Sequence, residues 1–130
     1  MFPRGLMPRI SWLATRAYYR FSVGGARVPA EGPVLLVANH NNSLMDPAFV
    51  VEAAQRDVRF LAKAPLMTHP QIGWLVRAVG SIPVYRVQDD PKLVGQNRDI
   101  FVAVHAALAE GDAVGIFPEG TSHSGSRLAP

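Results

Sequence analysis

A histidine and an aspartate six positions apart, His40 and Asp46, sit in the stretch "ANHNNSLMDP" from Ala38 to Pro47. The stretch follows the apolar run "VLLVA", so the chain leaves a strand and enters a turn at this point. A turn needs Asn, Ser, Asp, Gly or Pro but has no use for an imidazole. Histidine is the common general base near neutral pH, and a nearby carboxylate fixes its tautomer and stabilises the imidazolium that forms. On a regular helix a six-residue separation would point the two side chains roughly 120° apart. They can meet only across a turn, which the composition of Asn41, Asn42 and Ser43 permits. A plain structural role competes, because Asp46 before Pro47 also reads as a helix cap, with Ser43 completing a weak capping box.

Two further clusters leave strand-like segments. In "FPEGTS", Phe117 to Ser122, the Glu119 carboxylate can bind substrate hydroxyls and Gly120 lets backbone N–H groups approach an anion. Arg86, at the end of "GSIPVYR", can grip a phosphate through two parallel hydrogen bonds. Each alone is also an ordinary strand-to-turn sequence. His69, His105 and His123 lack metal-ligand spacing, and no metal site is expected.

The elements that must position these groups follow from hydrophobic spacing. Val34 to Ala38 reads as a strand buried on both faces, Pro47 to Gln55 as a helix, and Val58 to Lys63 as a second strand. Ile72, Leu75, Val76 and Val79 mark an amphipathic helix ending at Gly80. "SIPVYR" is a short strand whose proline points to a sheet edge or a strand end. A long helix is expected from Asp89 through Ala109, then a buried strand from Ala113 to Phe117. This alternation predicts an α/β fold, a mainly parallel sheet with flanking helices. In such sheets function gathers at the carboxyl ends of the strands, where all three polar clusters fall.

The 130 residues suffice for one domain with a core, and 48% apolar against 18% charged residues is a globular composition. There is no cysteine, which excludes disulfides, thiolate metal sites and a cysteine nucleophile. Arg4, Arg9, Arg16, Arg20 and Arg27 carry all the charge before Glu31, so a basic arm precedes a slightly acidic body. Met1, Phe2, Leu6, Met7, Ile10, Trp12, Leu13, Tyr18, Tyr19 and Phe21 interleave with those arginines. That mixture suits an amphipathic helix in the headgroup layer of a membrane, or equally one packed on its own domain. No stretch is long enough to span a bilayer, and no nucleic-acid motif is present.

Together the clusters resemble the glycerolipid acyltransferase family, the lysophosphatidate and glycerol-3-phosphate acyltransferases. That family carries Asn-His…Asp after a strand, then Gly…Ile-Pro-Val…Arg, then Phe-Pro-Glu-Gly. Here these are Asn39, His40 and Asp46; Gly80 to Arg86; and Phe117 to Gly120 with Thr121 and Ser122. The commonest family pattern has four residues between His and Asp. This chain has five, Asn41 to Met45, a form found in a subgroup of the family, and the acceptor preference stays open. The family's fourth block, an apolar Val-Pro strand, has no counterpart before Pro130, so the resemblance implies an incomplete domain.

The resemblance implies acyl transfer from acyl-CoA or acyl carrier protein to a hydroxyl of lysophosphatidate, glycerol 3-phosphate or a related lysophospholipid, with no further cofactor. His40 would be the base and Asp46 its partner, while Arg86 would hold the acceptor phosphate. Glu119, Gly120 and Thr121 would position the acceptor, and Asn39 would fix the loop. Residues 1–30 would be a membrane-associating segment and 31–130 the amino-terminal part of the acyltransferase domain, at the cytoplasmic face of a membrane. A thioesterase using the same His–Asp pair, or a non-catalytic membrane-associated fragment, are the competing expectations.

Overall fold

A computed structural model describes residues 5–42, 45–86 and 91–119. The elements are α1 (Leu6–Tyr18), β1 (Val34–Val37), α2 (Met45–Ala54), β2 (Val58–Lys63), α3 (Gly73–Ala78), β3 (Ile82–Val84), α4 (Arg98–Ala109) and β4 (Ala113–Ile116). The strands form one parallel sheet in the order β1-β4-β2-β3. Parallel strands all present their carboxyl ends at the same edge. The α/β class and the amino-terminal helix expected from the sequence are therefore the observed ones.

β4 is central, with Ala113, Val114 and Gly115 buried, as its continuous apolar run predicts. The main core lies between this sheet and α2: Val51 and Ala54 meet Val58, Phe60 and Ala113, with Val34, Leu36 and Phe117 packed against them. Gly115 is required here by close approach. A Cβ at this position would lie 2.5 Å from Cε1 of Phe60 and 3.1 Å from Cγ1 of Val58. β3 is an edge strand, and its proline fits there because one side of the ladder needs no N–H donor.

Several expectations change. β1 is not buried on both faces: it is the other edge strand, with Leu35 and Val37 50% and 61% exposed while Val34 and Leu36 face the core. A four-residue apolar run cannot by itself report which strand of a sheet it will be. The helix expected from Asp89 through Ala109 is divided into a 3-10 segment, Pro91–Asn97, and α4. Gly95 and Asn97 are weak helix formers, which accounts for the break. Asp89 and Asp90 lie outside the described residues. α2 begins at Met45, so Asp46 lies in its first turn rather than capping it from outside.

α1 packs on α2 with an unusual face. Its buried residues are Ser11 and Thr15, while Ile10, Trp12, Leu13 and Tyr18 are exposed. The small hydroxyl residues let the helices approach closely. The Thr15 hydroxyl donates to the buried Glu52 carboxylate of α2, and Arg16 Nε lies 3.5 Å from the other Glu52 oxygen. Just after α1, Tyr19 meets Phe49 of α2 edge-on and Phe21 stacks on it, with ring centroids 5.2 and 5.1 Å away. The arm is therefore fastened to the helix that also carries Asp46.

Candidate active site

The in-register pairing of β1 with β4 ends at Val37 opposite Ile116, and Ala38 N–H still donates to Ile116 O at 3.1 Å. The two chains thus leave the sheet side by side, which brings His40 next to Phe117. Their rings stack with centroids 4.4 Å apart and planes 21° apart. Phe117 in turn lies parallel to Phe60 of β2 at 5.7 Å. A continuous aromatic stack therefore runs from the core to the imidazole and limits its orientations.

His40 and Asp46 do meet. Nδ1 of His40 is 2.9 Å from Oδ2 of Asp46, and the same oxygen accepts the Asn42 N–H at 2.7 Å. Asn42 O accepts the Met45 N–H at 2.9 Å as α2 starts. From the first turn of α2, Asp46 thus reaches back to both His40 and Asn42. An ionised carboxylate only accepts hydrogen bonds, so Nδ1 carries the proton in this pair and Nε2 keeps its lone pair. The two side chains are 20% and 12% exposed, enough to weaken competition from water while leaving the ring reachable.

The remaining expected residues share the carboxyl edge of the sheet. Asn39 is exposed beside His40, and Arg86 lies half-buried two residues beyond β3. Glu119 follows β4, the neighbour of β1, with both carboxylate oxygens buried. Gly120 and Thr121 lie outside the described residues. The sequence reading missed the Phe60–Phe117 support, because nothing in either strand alone reports which ring will stack on which. It also missed Lys63, an exposed cation at the carboxyl end of β2, in register with Val84 of β3. Its place as the last residue of a predicted strand was the available signal.

The chain belongs to the Acyltransferase family, whose profile matches residues 20–130. It is similar to a 1-acyl-sn-glycerol-3-phosphate acyltransferase of Chlamydomonas reinhardtii, 31% identical over 120 residues, covering 89% of this chain and 33% of that protein. It is also similar to lyso-ornithine lipid O-acyltransferases. The protein of that name from Rhodobacter capsulatus is 33% identical over 111 residues, covering 85% of this chain and 36% of its own length. That from Rhizobium meliloti is 38% identical over 111 residues, covering 80% and 35% respectively. The chain thus spans about a third of the length of these curated relatives. No solved structure matches it.

Proposed function

We propose that the chain carries the His–Asp centre of an O-acyltransferase that moves a fatty acyl group from a thioester donor, acyl-CoA or acyl carrier protein, to a hydroxyl of a lysophospholipid or glycerol phosphate. The observation that supports this most is the 2.9 Å contact between His40 Nδ1 and Asp46 Oδ2, which leaves Nε2 as the acceptor of a proton. His40 Nε2 takes the proton of the acceptor hydroxyl as its oxygen adds to the thioester carbonyl. The resulting oxyanion collapses, the C–S bond breaks, and the imidazolium returns the proton to the departing sulfur. The products are an ester and a free thiol, and no acyl-enzyme forms. Asp46 stabilises the imidazolium while it exists.

Arg86 and Lys63 sit at the carboxyl edges of neighbouring strands, β3 and β2, and bind the anionic headgroup of the acceptor. Glu119 follows β4, the strand next to β1, and with Gly120 and Thr121 it positions the acceptor's hydroxyls, while Asn39 supports the loop. Among the described residues no helix is long and apolar enough to cross a membrane. A membrane surface is nevertheless the partner that α1 suits. Its exposed Ile10, Trp12, Leu13 and Tyr18 are interleaved with the exposed Arg9 and Arg16, and the exposed Arg20 follows the helix. The relatives' names support a lipid acceptor and add lyso-ornithine lipid to 1-acyl-glycerol-3-phosphate and glycerol 3-phosphate as candidates.

Product analysis tests the reading. The full-length protein is given labelled long-chain acyl-CoA with lysophosphatidate, glycerol 3-phosphate, lyso-ornithine lipid or no acceptor. Label in an acylated acceptor is expected, whereas acceptor-independent release of free fatty acid would make the protein a thioesterase.

A further inference from the structure

We propose that Asn97 is a positioning residue for the acceptor headgroup, acting on Arg86 through the backbone of Tyr85. This rests on the headgroup role assigned to Arg86 above. β3 is only three residues long, and its pairing with β2 ends at Lys63 opposite Val84, where β2 itself stops. Tyr85 therefore lies just past the ladder that would orient its peptide groups. The Asn97 side chain takes the place of a strand neighbour. Its Oδ1 accepts the Tyr85 N–H at 3.0 Å, and its Nδ2 donates to the Tyr85 carbonyl at 2.6 Å. Both bonds are part-buried. Together they reproduce the donor–acceptor pair of a β-ladder rung.

The Tyr85 carbonyl belongs to the peptide plane that leads into Arg86. Fixing that oxygen fixes the direction in which the Arg86 Cα leaves the sheet. A guanidinium recognises an anionic oxygen pair through a rigid planar fork, so its aim depends on where the backbone places its stem.

The ordinary role for an asparagine at this place is to cap α4. Asn97 occupies the N-cap position, yet its side chain makes no capping hydrogen bond, and its backbone is helical rather than extended. Nor does Asn97 belong to the buried core, which lies between α2 and the sheet. The side chain forgoes the cap and is used on the strand.

The test is a double-mutant cycle in the full-length protein, with KM for acceptor and donor measured separately. Asn97→Ala is expected to raise the acceptor KM about 10- to 100-fold, the range a misplaced binding group gives, with donor KM and kcat changed less than about threefold. Arg86→Ala is expected to raise it at least as much. The double variant should then be no worse than Arg86→Ala alone, because Asn97 acts through Arg86. Asn97→Asp keeps the acceptor for the Tyr85 N–H and loses the donor to the carbonyl. Its acceptor KM should fall between wild type and Asn97→Ala, and it carries the test if the alanine variant fails to fold. Additive effects in the cycle, or loss of kcat with the acceptor KM unmoved, would overturn the inference while leaving Arg86 in place. An Arg86→Ala variant with an unchanged acceptor KM would remove the headgroup role of Arg86 and the inference together.

Discussion

Replacing Asp46 with asparagine preserves shape and removes one charge, so its effect can be worked from the geometry. The Asn42 N–H and His40 Nδ1 both contact Oδ2, at 2.7 and 2.9 Å, so the amide oxygen of the variant takes that position. There it still accepts the proton on Nδ1, the neutral ring keeps its tautomer, and what is lost is charge. With the carboxylate and imidazolium centred about 4 Å apart, their attraction is roughly 1 kcal/mol in water and about 4 kcal/mol at the effective dielectric of a protein surface. Side-chain exposures of 20% and 12% place the pair near the second figure. About 3 kcal/mol lost only when the imidazolium forms is roughly a 150-fold fall in rate. Steady-state kinetics should show that fall in kcat, with acceptor and donor KM changed less than about threefold. Retention of a third or more of wild-type kcat by a correctly folded variant would refute the reasoning.

Gly115→Ala probes the support beneath the histidine: the new Cβ must displace Phe60, on which Phe117 and then His40 stack. A loss of about 1–3 kcal/mol in stability is expected from chemical denaturation, together with a fall in kcat; an unchanged kcat in the destabilised protein would show that the stack does not orient the ring. Trp12→Ser combined with Leu13→Ser should weaken binding to anionic phosphatidylglycerol vesicles by roughly tenfold or more without loss of helix content, read by vesicle sedimentation and circular dichroism. Binding of the wild type should also weaken at high salt, because Arg9, Arg16 and Arg20 are exposed. Salt-independent binding that survives the double substitution would place the membrane contact elsewhere.

The order of strands and helices was legible because apolar runs, prolines and glycines are local signals. The four strand positions and the edge placement of β3 follow from them. Which strand lies at the other edge was not legible, because β1 and β4 have similar apolar runs and differ only in what packs on them. The packed face of α1 was not legible for a related reason. The sequence left it open whether this helix packs on its own domain; it does so through the small Ser11 and Thr15, with Glu52 as buried partner, while Trp12 and Leu13 stay exposed. The His40–Asp46 contact required a turn, which the asparagines signalled. The Phe117 platform and the Asn97 clamp join residues 77 and 12 positions from His40 and Tyr85, and such pairings arise only once the sheet has formed.

The central claim is that His40 is the base of an acyl transfer. Its most direct test is the initial rate of labelled acyl transfer from long-chain acyl-CoA to lysophosphatidate, glycerol 3-phosphate and lyso-ornithine lipid, wild type beside His40→Ala, with circular dichroism on both. Transfer by the wild type to at least one acceptor, abolished in a variant that keeps the wild-type spectrum, is the predicted result. Transfer that persists in His40→Ala, or a folded wild type that acylates none of the three acceptors, would contradict it.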